Sequence, residues 1–161
     1  MFETFSEPAR RVIFWARREA GQSGSEFIEP EHLLKGLLAE DQRDWAKFIP
    51  GGPGNAGFGM VREATPPPQP FFSGELAEKL RERMAESAKP GTPKPESMDM
   101  PVAESSKRAL QTARARAGES EVGLLHLLWA LMSDEENSVS TLLKSTGVTV
   151  DKIDEAIRRA Q

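Results

Sequence analysis

Residues 9–21, ARRVIFWARREAG, and residues 106–118, SKRALQTARARAG, are one pattern written twice, with five of 13 positions identical at an offset of 97. A second pair follows in the same order. Residues 32–38, HLLKGLL, match residues 126–132, HLLWALM, at four of seven positions and an offset of 94. The change of offset means that the connection inside the second copy is three residues shorter. Self-similarity of this kind is read before any local feature, because it fixes the unit from which the fold is built. The unit is helix, Gly, short loop, His-Leu-Leu helix. One such hairpin has an apolar face it cannot bury alone, so two copies are expected to pack together about a pseudo-twofold axis.

Away from the Gly/Pro-rich middle of the chain, the apolar spacing is helical. Ala9, Val12, Ile13, Ala16 and Ala20 fall on one face, with Ser6 as N-cap, Pro8 in the first turn and Gly21 as the stop. Pro30 opens the helix that carries Leu33, Leu34, Leu37 and Leu38, and Trp45, Phe48 and Ile49 predict a short third helix. Ser73 caps a fourth, with Leu76, Ala77, Leu80 and Met84 on its apolar side. In the later half, Val102, Ala109, Leu110, Ala113 and Ala117 share a face and Gly118 ends it. Residues 123–132 form a buried helix, Val139, Leu142 and Leu143 mark another that stops at Gly147, and Thr149 caps the last. No segment of comparable strength alternates as a strand does. The expected fold class is all-α, with about eight helices in two pseudo-twofold-related repeats.

Ten of the 12 prolines lie between positions 50 and 101. Gly and Pro cannot sustain a regular helix through 50–59, PGGPGNAGFG, and residues 66–70, PPPQP, favour an extended backbone. The expected organisation is therefore a single domain over 1–161. Residues 1–49 and 73–88 form the first repeat, 50–72 a Gly/Pro-rich insertion, 89–101 a linker and 102–161 the second repeat.

The composition narrows the chemistry. The 161-residue chain has no cysteine, so disulfides, thiolate metal sites and a cysteine nucleophile are excluded. Its net charge of −4 argues against nucleic acid as a partner, and Arg10, Arg11, Arg17, Arg18, Lys107, Arg108, Arg114 and Arg116 read as the solvated faces of two helices. No stretch approaches the about 20 apolar residues that span a bilayer, so no membrane is expected. The amino terminus lacks the basic-then-apolar order of a signal peptide, which places the protein in the cytoplasm by expectation. His32 and His126 occupy equivalent positions and have no third ligand at metal spacing, so the expectation is a structural role and no metal. Residues 21–25, GQSGS, are not G-x-S-x-G, and the acids of 133–137, SDEEN, read as a solvent-facing loop. No catalytic residue, cofactor or enzymatic activity is expected.

Residues 1–12, MFETFSEPARRV, and 28–38, IEPEHLLKGLL, resemble the amino-terminal Clp repeat domain of ClpC-type unfoldases, most specifically in Glu31-His32-Leu33-Leu34. The resemblance covers most of 1–49 and 102–161, and more loosely 73–88. It implies a non-catalytic module that recruits polypeptide substrates or adaptors to a Clp ATPase. No G-x-x-x-x-G-K-[ST] phosphate loop is present, so the chain is expected to act as a stand-alone domain, an adaptor or regulator of ATP-dependent proteolysis. In members that bind phosphorylated arginine, the residue before each repeat's His is Glu, whose carboxylate accepts two bonds from the guanidinium fork. Here the two positions are Glu31 and Leu125, which implies one half-site. For Glu31 the alternative is a first-turn acid favoured by the helix dipole.

Aromatic side chains complete the candidates. Phe14 and Trp15 follow Val12 and Ile13, so one of them must approach the edge of the apolar face. Phe2, Phe5, Trp15, Phe71 and Phe72 are candidates for a polypeptide-binding groove, and the alternative is that they seal the core. A second function class is a small ligand-binding protein or enzyme whose pocket is formed by 50–72, for which a small molecule copurifying at that loop is the discriminating observation.

Overall fold

A computed structural model describes residues 4–42, 70–87, 91 and 100–160. Among these are seven helices: α1 (Glu7–Gln22), α2 (Pro30–Gln42), α3 (Gly74–Ser87), α4 (Glu104–Ala117), α5 (Leu124–Ser133), α6 (Ser138–Ser145) and α7 (Val150–Ala160). The helix expected around Trp45–Ile49 and all of the insertion but residues 70–72 lie outside the described residues. Of the linker, only Gly91, Met100 and Pro101 are described.

The helix ends follow from local chemistry. The hydroxyl of Ser6 accepts from the Ala9 N–H at 3.3 Å, that of Ser73 from Leu76 at 3.1 Å and that of Thr149 from Lys152 at 3.2 Å, each meeting a donor that the helix leaves without a partner. Gly118 and Gly147 leave α4 and α6 with φ of 64° and 94°, a region open to glycine at little cost. Two expectations shift. Gly21 does not stop α1 but lies buried inside it; the positive φ falls on Gly24. Val102 precedes α4, where it joins an extended crossing between the halves.

That crossing occurs twice, and it displays the symmetry. The Ser6 N–H donates to the Val122 carbonyl at 2.9 Å, and the Val122 N–H to the Thr4 carbonyl at 2.8 Å. The Ala103 N–H donates to the Ile28 carbonyl at 3.1 Å, and the Ile28 N–H to the Pro101 carbonyl at 3.0 Å. Thr4, Phe5 and Ser6 map onto Pro101, Val102 and Ala103 by the first offset, and Ile28 maps onto Val122 by the second. Each half thus lends its leading residues to the loop of the other, the self-complementary exchange that a twofold relation requires.

The buried apolar residues of both halves form one core. Its centre is the pair α2 and α5, which pack on each other, while α1 also reaches α5 and α4 reaches α2. Leu34, Leu38, Leu128 and Leu143 are fully buried. The alanine face of α1, with Ala9, Ala16 and Ala20 fully enclosed, lets α2 approach closely. At Gly36, an added Cβ would lie 2.6 Å from the Val12 carbonyl oxygen and 3.2 Å from the Ala16 nitrogen. Gly36→Ala is therefore expected to destabilise by about 2 kcal/mol in urea unfolding, although Ala is the better helix former by about 1 kcal/mol. An unchanged midpoint would show that the two helices part freely there.

Candidate functional site

Both His-Leu-Leu helices begin the same way. Pro30 and Leu124 are their first residues, so His32 and His126 stand third, where a side chain can reach back to the N-cap amide. His32 Nδ1 accepts from the Glu29 N–H at 2.9 Å, and His126 Nδ1 accepts from the Gly123 N–H at 2.9 Å. With Nδ1 an acceptor, the ring proton of His32 is on Nε2. This nitrogen lies 3.4 Å from Ser23 Oγ, which itself donates to the Ala20 carbonyl at 3.1 Å. Burial, and secondarily Lys35, lowers His32 to a pKa of about 4. Burial, and secondarily Arg116, lowers His126 as well. Among the described residues no group of three His, Asp or Glu side chains is arranged to hold a metal ion.

Glu31 is half-buried in the first turn of α2, and its Oε1 makes a long contact of 3.5 Å with the hydroxyl of Ser138, the first residue of α6. It therefore faces the other half of the molecule. Burial, then the charge of Glu31, raises the Glu29 carboxyl above its ordinary value. The counterpart of Glu31, Leu125, packs against the core, so the carboxylate stands on one side of the pseudo-axis only.

The aromatic candidates separate into interior and surface. Phe5 is 3% exposed and Phe72 is 1% exposed. Both belong to the core, so of the two readings given for these rings their burial accords with the sealing one. For Phe72 the reason is Asp41, near the end of α2: its carboxylate accepts from the Phe71 N–H at 2.8 Å and the Phe72 N–H at 3.0 Å. Gln42 Nε2 adds a bond to the Phe72 carbonyl at 2.8 Å, and the strand of chain so held turns Phe72 inward. Phe71 is half-buried, edge-on to Phe72 with ring centroids 5.1 Å apart. Phe2 lies outside the described residues.

On the surface of α1, Phe14 is 59% exposed. Its ring meets that of Trp15 edge-to-face at 4.8 Å, and the Arg18 guanidinium lies 5.9 Å from the Trp15 ring centroid. Trp15 is half-buried, with its Nε1 enclosed and lacking a hydrogen-bond partner among the described residues. The equivalent residues in α4 are Gln111 and Thr112. The second copy is completed without aromatic rings there, and Phe14, largely in solvent, is not demanded by the helix packing. Aligning the two copies brings this difference out; periodicity alone does not, because both rings border the apolar face.

Residues 97–161 match the family of Clp repeat (R) N-terminal domains. Along most of its length the chain is similar to chaperone protein ClpD1, chloroplastic, of Oryza sativa subsp. japonica, with 30% identity over 91% of this chain and 14% of the relative. It is also similar to chaperone protein ClpD, chloroplastic, of Arabidopsis thaliana, with 26% identity over 94% of this chain and 15% of the relative. The chain thus spans about a seventh of the length of these relatives. Among solved structures, the N-terminal domain of the caseinolytic protease associated chaperone ClpD from Arabidopsis thaliana superposes over the whole of both chains, with a TM-score of 0.67 and 24% identity. The Hsp104 N-terminal domain from Candida albicans covers 92% of this chain and 85% of its own, with a TM-score of 0.60 and 19% identity. These likenesses place the fold. No helix among the described residues is long and apolar enough to cross a membrane.

Proposed function

The chain is homologous to the N-terminal domains of ClpD chaperones, with its carboxy-terminal part in the Clp repeat N-terminal domain family, and from that premise we propose that it is a non-catalytic module that binds polypeptides. In this reading it recruits substrates or an adaptor to a Clp-type ATPase. The observation that carries the reading is the Phe14–Trp15 pair, an exposed aromatic edge present in one copy of the repeat and replaced by polar residues in the other. The Phe14 ring, largely in solvent and edge-on to a Trp15 that the Arg18 guanidinium covers, supplies the kind of anchor that dominates polypeptide interfaces. Phe71, half-buried, and Glu31, facing the second half, are the remaining contributors from the described residues.

The test is fluorescence anisotropy with a labelled, permanently unfolded polypeptide. Phe14→Ser is expected to weaken binding about 10-fold while changing the unfolding free energy by less than about 0.5 kcal/mol, because its ring is largely in solvent. Equal affinity in parent and variant would remove α1 from the binding face. Glu31 is read as a guanidinium acceptor, so titration with phosphoarginine should lose affinity in Glu31→Ala. Identical curves would leave Glu31 as a first-turn acid and no more.

A further inference from the structure

The two histidines occupy the position that a Glu or Gln fills in an ordinary capping box, reaching back from the third helical residue to the N-cap amide. Unlike those residues, an imidazole acts as acceptor only while neutral. What each ring holds also matters. Glu29 and Gly123 directly follow Ile28 and Val122, the residues that make the two crossings between halves. We propose that His32 and His126 are a matched pair of titratable caps that release both crossings together when the protein is acidified.

The geometry leaves a protonated ring nowhere to stay. Imidazolium has no lone pair for the Glu29 or Gly123 amide, so two N–H groups would confront each other at 2.9 Å. The added charge would also sit at a helix N-terminus, the positive end of the dipole. The charges around His32 are Glu29 and Glu31 in its own first turn and Lys35 one turn on, with Lys35 3.8 Å from Glu19 of α1. Around His126 the charge is Arg116 of α4, which is bonded to Asp154 of α7 at 3.0 Å and stacks on Trp129. The cationic members disfavour a protonated ring in place, as burial does. Protonation therefore requires the ring to leave, and its departure frees the amide beside each crossing.

The direction of the pH effect follows. For His32 the folded pKa of about 4 lies below its ordinary 6.5, so the stabilisation is complete above 6.5 and is lost as the pH falls toward 4. At pH 5 the local opening equilibrium should be roughly 20-fold larger than at pH 7. His126 contributes in the same direction. An acid-loosened molecule would present its shared interior, including Leu34 and Leu128, to other polypeptides.

Amide hydrogen exchange followed by NMR on the full chain, corrected for the intrinsic pH dependence of exchange, tests this. Between pH 7 and pH 5 the protection of the Glu29 amide is expected to fall roughly 20-fold, with the Gly123, Ile28 and Val122 amides losing protection together. The double variant His32→Gln/His126→Gln keeps an acceptor in each capping box and should hold its protection throughout. Constant protection in the parent, or an equal loss in the variant, overturns the proposal. Should the variant fail to fold, ring-nitrogen titration of the parent decides. The Glu29 and Gly123 amide shifts must move with the imidazoles, at midpoints below 6.5, and amides that stay fixed through the ring titration overturn it.

Discussion

Leu34→Ala and Leu128→Ala are each expected to cost about 3 kcal/mol, and to cost nearly the same. Both side chains are 0% exposed, and they occupy the same position of the repeated His-Leu-Leu helix, one in α2 and one in α5. Truncation removes three carbons from water-free contact and leaves a cavity whose walls belong to both halves, the situation in which Leu→Ala losses of about 2–5 kcal/mol are found. Chemical denaturation gives the two values. A domain of this size has a total stability of about 5–15 kcal/mol, so one such loss is a large fraction of it. A cost for Leu128→Ala several times that for Leu34→Ala, or the reverse, would show that one half carries the core and the other merely rests on it.

Arg11→Ala should cost about 3 kcal/mol, whereas Arg108→Ala should cost less than about 1 kcal/mol. The two arginines are equivalent by the repeat, and so are their acidic partners, Glu40 and Asp134. Arg11 Nε lies 2.6 Å from Glu40 Oε1, and the Glu40 side chain is 1% exposed. Removing the guanidinium takes a counter-charge in direct contact away from an enclosed carboxylate, which is the costly way to break an ion pair. In the second copy the Arg108–Asp134 contact is 3.4 Å, with the arginine side chain 49% exposed, so water replaces what is lost. Unfolding measurements on both variants provide the comparison. Equal costs would mean that burial of Glu40 does not set the strength of its pair.

Much of this architecture is legible in the sequence because its determinants are local or periodic. Ser6, Ser73 and Thr149 each cap the helix they precede, and Gly118 and Gly147 each take the positive φ that ends one. The four leucines of α2 and Leu127, Leu128 and Leu131 of α5 are buried as their spacing requires. The parts that were not legible depend on contacts distant in sequence. The crossings at Phe5–Val122 and Ile28–Val102 are one residue pair each, too short to leave an alternating pattern. Phe72 reads as a surface candidate until Asp41, 31 residues away, is seen to hold its amide. Gly21 looks like a helix stop, yet the chain continues one residue further and turns at Gly24. For the candidate site, Glu31 and Trp15 were visible as residue types, but which of Phe14 and Trp15 faces solvent was decided only by the packing of α1 against α2.

The reciprocal crossings have a consequence for how such a molecule tolerates change. Two identical hairpins could make the same exchange as separate chains, at a concentration-dependent cost; joining them renders the association intramolecular, with an effective concentration on the order of millimolar. Once tethered, the halves need match only where they grip each other. Everywhere else they are free to diverge, and Glu31 opposite Leu125, or Phe14 opposite Gln111, is the asymmetry that a covalent homodimer can carry and an assembly of identical subunits cannot.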